Sequence, residues 1–577
     1  MIPSTPSPFR RLFLVLGATA ALGRLAAQGS STVVLPDYVT TATRTPVALT
    51  TSGTAVDAIS AADLSRMQLN SLSSALGGIP GAPAFQSGAS GGVMSLFLRG
   101  TNSNQTLFLV DGIRFNDPNT DYAVALGGMC VSGCDNLEVA HGPQSTLYGG
   151  EAVGGVVALS AQRGAGARSG AVAVEAGSFG TLQGSARAQG AADGTAYNFS
   201  LVGGHTDNDR PNNQFDSYTC ALRLDHTFSQ RIALGATYRG FSGRYGSPGD
   251  RYTNDLNNTE QERNQLATVF ADFTPNARFS SRVVLGGQDR RYESINPNAA
   301  GTTVNRTFVK NRRGVLDWQN TLQAGPQNRL IAGLTAEANH TRNTGFGNID
   351  ESQQLLAVFV QDEWSPVEHV YLTAGLRSDD FDTFGRATTG RATAAWLSAD
   401  ARWKLRASYG TAFRAPGFLD LYGQSSFYVG NPNLRPEKAK GWDAGVDYFF
   451  ADKQGVLSAT WFDTRLTNLI VFDFGVFPGT TANIERAETK GLEVSGKFSL
   501  RGVADVRLSY TYLEADNLTQ GSRLLRRPRH SGSLDAWRDF GRGFSVGAGL
   551  AFVSDRLDVD AATFATIRGE DYTVVRV

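Results

Sequence analysis

"VRLSYTYLEA" (residues 506–515) carries the pattern that decides the architecture of most of this chain. Val506, Leu508, Tyr510 and Tyr512 share one side of an extended segment, and Arg507, Ser509 and Thr511 share the other, because successive side chains of a strand point to opposite faces. "WDAGVDYFF" (442–450) sets Trp442, Ala444, Val446 and Tyr448 against Asp443, Gly445 and Asp447. "GVLSATWFDT" (455–464) sets Leu457, Ala459 and Trp461 against Ser458 and Thr460. The period-two texture starts near residue 168 and runs to the end. A soluble β-sandwich also alternates. Three features favour a membrane barrel instead. The segments reach about ten residues, the length with which a tilted strand crosses hydrocarbon. Aromatic residues cluster near their ends, as in an interfacial girdle. Connections alternate between tight ("ADKQG", 451–455) and long and Gly/Pro/Asn-rich (411–440). The sequence therefore predicts a transmembrane antiparallel β-barrel, since only a closed sheet satisfies its backbone groups in lipid. At roughly 20 residues per strand and connection, the region yields about twenty strands. So wide a barrel leaves an aqueous hole unless something fills it.

The balance of 53 basic and 53 acidic residues gives no footprint for nucleic acid, so no nucleic-acid partner is expected. At the N-terminus, Arg10 and Arg11 precede the apolar "LFLVLGATAALG" (12–23) and the small residues of "LAAQG", the layout of a secretory signal peptide cleaved near Ala27. A membrane anchor is the alternative reading. Export permits disulfides, and Cys130 and Cys134 in "GGMCVSGCDN" either close a small loop or remain two free thiols. Cys220 lies in a strand-like run without an evident partner.

Before the barrel, "AISAADLSRMQLNSLSSALGGIPG" (58–81) reads as a helix capped by Ser60, with Leu64, Met67, Leu72 and Leu76 at helical spacing and Gly77-Gly78 as the stop. Short strands follow in "SLFLRG", "TLFLVDG", "NLEVAHG" and "GGVVALSA". This is a small α/β globule, the expected filler of the pore. Nothing in it reads as an enzyme. The six histidines (141, 205, 226, 340, 369 and 530) are scattered, and "GGEAVGG" lacks the Lys-Ser/Thr of a phosphate loop. Arg99 and Asp111, at the ends of two strands, are expected to be ion-pair or turn residues facing a polar barrel wall.

Several stretches then resemble one family. "IPGAPAFQSG", "LRGTNSNQTLFLVDGIRFND" and "HGPQSTLYGGEAVGGVVALSAQRG" look like the plug of a TonB-dependent outer-membrane receptor. "TAFRAPGFLDLYG", "VGNPNLRPEKAKGWDAGVDYFF", "NIERAETKGLEVSGKF" and "LLRRPRHSG" look like its barrel signatures, in family order. The resemblance implies an energised importer in the outer membrane of a Gram-negative-type cell, a barrel of about 22 strands around an N-terminal α/β plug. Its partners would be outer-membrane lipid, a nutrient ligand and periplasmic TonB, with the receptor a monomer. The expected divisions are a signal peptide (1–27), a periplasmic segment (28–49), a plug (50–165) and a barrel (166–577). "LPDYVTTATRTP" (35–46) sits where the TonB box belongs, so Asp37, Tyr38, Val39, Thr40, Thr41 and Ala42 are the candidate box, a β-prone strand for TonB to pair with.

"SLFLRGTN" resembles the cobalamin-receptor subgroup most closely, which makes cobalamin or a related corrinoid the lead ligand and a ferric siderophore the alternative. A passive porin is the different-class alternative. Residue-by-residue matching puts substrate contacts at Val93, Ser95 and Asn102, with Thr120 and Asp121 in the next apical loop; the bland reading of Ser95 and Asn102 is that they finish a turn. That subgroup also has calcium-organised loops. "HTDNDRPNNQFD" (205–216) offers Asp207 and Asp209, with Asp216 or Asp250 nearby, as hard oxygen ligands, or else forms a solvated acidic loop; no cofactor is required otherwise. The chain stops at "GEDYTVVRV", in mid-strand, where the family pattern continues. The expectation is a fragment or interrupted gene with about 19–20 strands and roughly three missing; a natural shorter barrel is the alternative.

Overall fold

The computed structural model describes residues 38–577 except 89, 120–127, 132–134, 251, 299–301, 451–453, 474, 501–502, 542–543 and 561. The expected signal peptide lies outside the described residues.

A 21-stranded sheet runs in sequence order from Ser169–Ala176 to Tyr572–Arg576, and the pairings between consecutive strands are antiparallel. One member, Ser522–Arg523, is a two-residue pairing within a hairpin, which leaves twenty longer strands. Among the described residues the first and last strands are not paired with each other.

The sheet is inside out relative to a soluble protein. In Ala504–Asn517, Asp505, Arg507, Ser509 and Thr511 are buried, whereas Leu508, Tyr510 and Tyr512 remain partly exposed. Trp442 and Trp461 are exposed beside the buried Asp443 and Thr460. Apolar side chains thus point outward, the polarity that hydrocarbon outside and a polar lumen inside demand. Trp364, Trp396, Trp403, Phe540 and Phe544 lie on the outer surface beside short turns, forming the aromatic girdle at that rim.

The connections after Ser229, Asn276, Gln323 and Leu397 are short, and residues 415–436, 518–529 and 555–571 form long ones at the opposite rim. Strands reach 21 residues, as in Thr480–Leu500, longer than the ten or so expected. The excess belongs to hairpins that stay paired on the long-loop side, as at Asp473 and Thr480, beyond the length over which hydrocarbon forces backbone pairing.

The plug packs inside. Its strands are β1 (Tyr38–Val39), β2 (Val47–Ala48), β3 (Val56–Ile59), β4 (Ala84–Gln86), β5 (Met94–Leu96), β6 (Thr106–Val110), β7 (Ile113–Arg114), β8 (Asp135–His141) and β9 (Gly155–Ala161). Five form a mixed sheet in the order β3-β8-β9-β6-β7, with β6 and β9 parallel. The expected single helix is two short ones, α1 (Ala61–Arg66) and α2 (Leu72–Leu76). Gln68 takes a positive φ of 52° between them, and Ser71 starts a second capping box just as Ser60 starts the first. Helical spacing of the leucines was kept across the break, which is why the pattern did not reveal it. Leu64, Leu72, Leu76, Phe108, Val139 and Val157 build the plug core. A last helix, α3 (Ser145–Tyr148), faces the wall.

Candidate ligand-binding and coupling sites

Arg99 closes the 3₁₀ turn after β5 at a φ of 50°, and Asp111 turns the β6–β7 corner at 49°. Both meet the wall, as the sequence predicts. Arg99 donates from Nη2 and Nε to Glu493 at 2.7 and 3.1 Å and from Nη1 to Asp443 at 2.9 Å, with its guanidinium 4.7 Å from the Phe462 ring centroid. Asp111 accepts from Ala161 N at 2.7 Å and from Arg239 Nε at 3.2 Å. Gly81 lets the plug come this close: a Cβ there would lie 2.0 Å from Glu493 Oε1. His141 completes the cluster, with Nε2 3.0 Å from Asp57 and Nδ1 3.5 Å from Glu493. Burial alone would lower its pKa, but the Glu493 and Asp57 carboxylates outweigh burial and lift it to about 9.

The candidate coupling segment is folded against the underside of the plug, near the short turns. Tyr38 is exposed, whereas Val39, Thr41 and Ala42 are buried. β1 pairs with β2, and Glu138 accepts from Thr40 N, Thr41 N and Thr41 Oγ1, each at 2.9 Å. Tyr148 Oη donates to Thr41 O at 3.2 Å, and Arg391 donates to Ala42 O at 3.3 Å. Arg44 reaches Asp317 on the wall at 2.5 Å and Leu147 O at 3.1 Å. One edge of this β-prone stretch is thus paired within the plug, and the N–H groups of Thr40 and Thr41 are taken by Glu138. Asp37 lies outside the described residues.

At the long-loop rim, Val93 and Ser95 sit on the β4–β5 hairpin, where Val93 O accepts from Ser87 N at 2.8 Å and Ser95 faces Phe85 across the pair. Asn102 starts a 3₁₀ turn, its backbone N–H bonded to Gln105 at 2.8 Å and its side-chain oxygen taken by Arg527. Thr120 and Asp121 lie outside the described residues. The 205–216 loop touches the same apex, Asn208 donating to Ser90 O at 3.2 Å.

The carboxylates considered as calcium ligands bond to protein groups. His205 bridges Asp207 (3.2 Å) and Asp216 (2.9 Å), Asp209 accepts from Asn213 at 3.3 Å, and Asp250 caps its own turn through Tyr252 N and Thr253 N. Among the described residues no three His, Cys, Asp or Glu side chains converge as metal ligands. Cys130 is a free thiol whose pKa burial raises, and Cys134, its partner in the disulfide reading, lies outside the described residues.

Sequence reasoning missed the wall partners Asp443, Glu493 and Arg239. Each is a charged residue in the polar phase of a barrel strand, a signal that was legible, although the plug residue each meets is not.

The sequence of residues 167–577 matches the family model "TonB dependent receptor-like, beta-barrel", and that of residues 48–156 matches "TonB-dependent Receptor Plug Domain". A relative, the vitamin B12 transporter BtuB of Vibrio cholerae, is 27% identical over 530 residues, covering 89% of this chain and 83% of the relative. Among solved structures, FpvA of P. aeruginosa bound to heterologous pyoverdines superposes with a TM-score of 0.78 at 16% identity, covering 95% of this chain and 82% of that one. The ferric-catecholate import receptor Fiu of E. coli K12 gives 0.77 at 16% identity, covering 94% and 92%. With the plug seated in its barrel and both halves matched, the chain belongs to the TonB-dependent receptors, transporters of the outer membrane that take up a nutrient ligand and carry no enzymatic activity.

Proposed function

We propose that this receptor imports an anionic metal chelate of the ferric-siderophore class. Arg527 carries the reading. It is buried at the plug apex, donates to Gly100 O at 3.1 Å and to Asn102, and has no carboxylate partner among the described residues. Burial and the neighbouring Arg526 push its guanidinium down to about 9. A buried cation without a counter-ion favours an anion beside it. Tyr252, Phe346, Phe427, Phe477 and Phe564 are exposed on five different loops of the same rim, offering aromatic faces to a large ligand. The structural neighbours whose names mention pyoverdine and ferric catecholate fit this reading. In it, Val93, Ser95, Asn102, Thr120 and Asp121 contact the ligand, and residues 37–42 are the TonB box, released from the plug before TonB pairs with them. The receptor acts as a monomer in lipid.

Cobalamin is the second reading, favoured by the "SLFLRGTN" match and by the Vibrio cholerae relative. Binding of cyanocobalamin and of a panel of ferric chelates to the complete protein separates the two. Tight binding of a ferric chelate with indifference to cyanocobalamin is expected. The reverse result replaces siderophore with corrinoid, and binding of neither removes both.

A further inference from the structure

Two cavities lie between plug and wall on one side of the barrel. The outer one, about 50 Å³, is bounded by Asn116–Pro118 of the plug and by 414–417, where the long 415–436 loop begins. The inner one is far larger, about 560 Å³. Its floor is the Thr40–Pro46 segment, and Ser280 and Thr321 carry its lining down to the short turns. Arg114 and Glu337 line both cavities.

These two residues form the partition. Glu337 stands between two guanidiniums, one oxygen 3.5 Å from Arg114 Nε and the other 3.1 Å from Arg313 Nε. Arg114 is also held by Glu151 at 2.8 Å, and Arg313 donates back to Arg114 O and to Asn116 O (3.2 Å). The layer is thus a buried Arg–Glu–Arg arrangement in which a single wall carboxylate holds two cations together. Without its charge, Arg114 and Arg313 face each other with like charge and the layer parts.

We propose that the ligand passes along this side, through the inner cavity, and that the Arg114–Glu337–Arg313 layer is the gate above it. The proposal rests on the reading of the chain as an importer. A chain of contacts links the gate to the coupling segment. Arg114 Nη2 donates to Tyr148 O at 3.0 Å, Tyr148 Oη donates to Thr41 O at 3.2 Å, and Arg44 donates to Leu147 O at 3.1 Å. Withdrawal of residues 40–46 therefore removes the floor of the cavity and frees α3, which holds Arg114 in the gate.

The test is potassium chloride conductance of the purified full chain in planar lipid bilayers, which needs no knowledge of the ligand. Glu337→Gln is expected to raise conductance by about tenfold, since two like charges are left facing each other, and Arg114→Gln to raise it comparably, since it removes the plug side of the layer with its bonds to Glu337, Glu151 and Tyr148 O. Lys497→Ala removes a plug–wall pair of similar length, to Asp63 at 2.7 Å, far from both cavities, and is expected to leave conductance at the wild-type level. In a Glu337→Gln chain with Cys130, Cys134 and Cys220 replaced by serine, a polyethylene-glycol maleimide on Thr321→Cys is expected to block the new current. Unchanged conductance in both gate variants overturns the gate. An equal rise in Lys497→Ala shows general loosening and overturns it as well. Current that survives the Thr321→Cys label overturns the route. Failure of every chelate to bind strikes the ligand reading alone.

Discussion

The plug meets its barrel in two ways. Toward the strands Glu437–Phe449 and Thr480–Leu500, Arg99 and His141 are locked among Asp443, Glu493 and Asp57, and the wall follows the plug closely enough to require glycine at position 81. Toward the strands Thr259–Asn276 and Val304–Gln323, Leu266 and Val315 still pack against the plug core and Arg313 bonds to Asn116 O, but below them the surfaces separate around the inner cavity, which long side chains such as Arg44 and Arg114 span. Both sides are polar. What differs is whether charges are matched at close range with nothing left between them. A receptor that must stay sealed yet yield to a pull needs an anchored side and a side that parts, and this division supplies both.

The largest blow to the comparison is Arg99→Ala. It leaves Glu493 and Asp443 buried without their guanidinium, and loss of one partner of a buried pair costs about 3–5 kcal/mol. The expected outcome is a lower urea midpoint for the plug, read by maleimide labelling of Cys130 in a chain with Cys134 and Cys220 replaced by serine, with the barrel still resistant to detergent. A barrel that melts together with the plug would show that the anchored side is not separable.

His141 sharpens the same side. Its pKa is raised in the folded state, so its contribution is complete below the ordinary histidine value and is lost as pH rises through about 9. Plug stability should fall between about pH 6.5 and pH 9, by on the order of 2–3 kcal/mol. His141→Gln should flatten that part of the profile, and a variant with the wild-type slope would assign the dependence elsewhere.

Glu138→Gln tests the hollow side with a smaller effect. Its carboxylate accepts three bonds from Thr40 and Thr41, and removing the charge weakens them by roughly 1.5–3 kcal/mol in total. The segment should loosen while the plug stays folded, so that a cysteine at Val39 reacts with maleimide several-fold faster. Unaltered reactivity would mean that β1–β2 pairing alone retains the segment.

Much of this was legible in the chain. The alternation in 506–515 named the outward face, Ser60 marked a helix start, and Arg99 and Asp111 announced themselves as polar residues at strand ends. The break at Gln68 was not legible, because the leucine spacing continues across it. Nor was the docking of Thr40 and Thr41 onto Glu138, some hundred residues away, since β-propensity says that a segment extends and not which edge it finds. Asp207, Asp209, Asp216 and Asp250 gave a plausible calcium composition, and only the fold puts His205 between two of them.

By itself the sequence determined a lipid-facing sheet, a compact unit ahead of it, and which residues carry charge into the lumen. These follow from the two-residue period of a strand and from capping and turn chemistry, all local. The tertiary structure decided which wall carboxylate meets which plug cation, where the two surfaces part, and that residues 39–42 are tucked against Glu138 and Tyr148. Such matches join residues hundreds of positions apart, as Arg99 and Glu493 are, and they depend on strand register and on the curvature of the whole sheet, which no short stretch encodes.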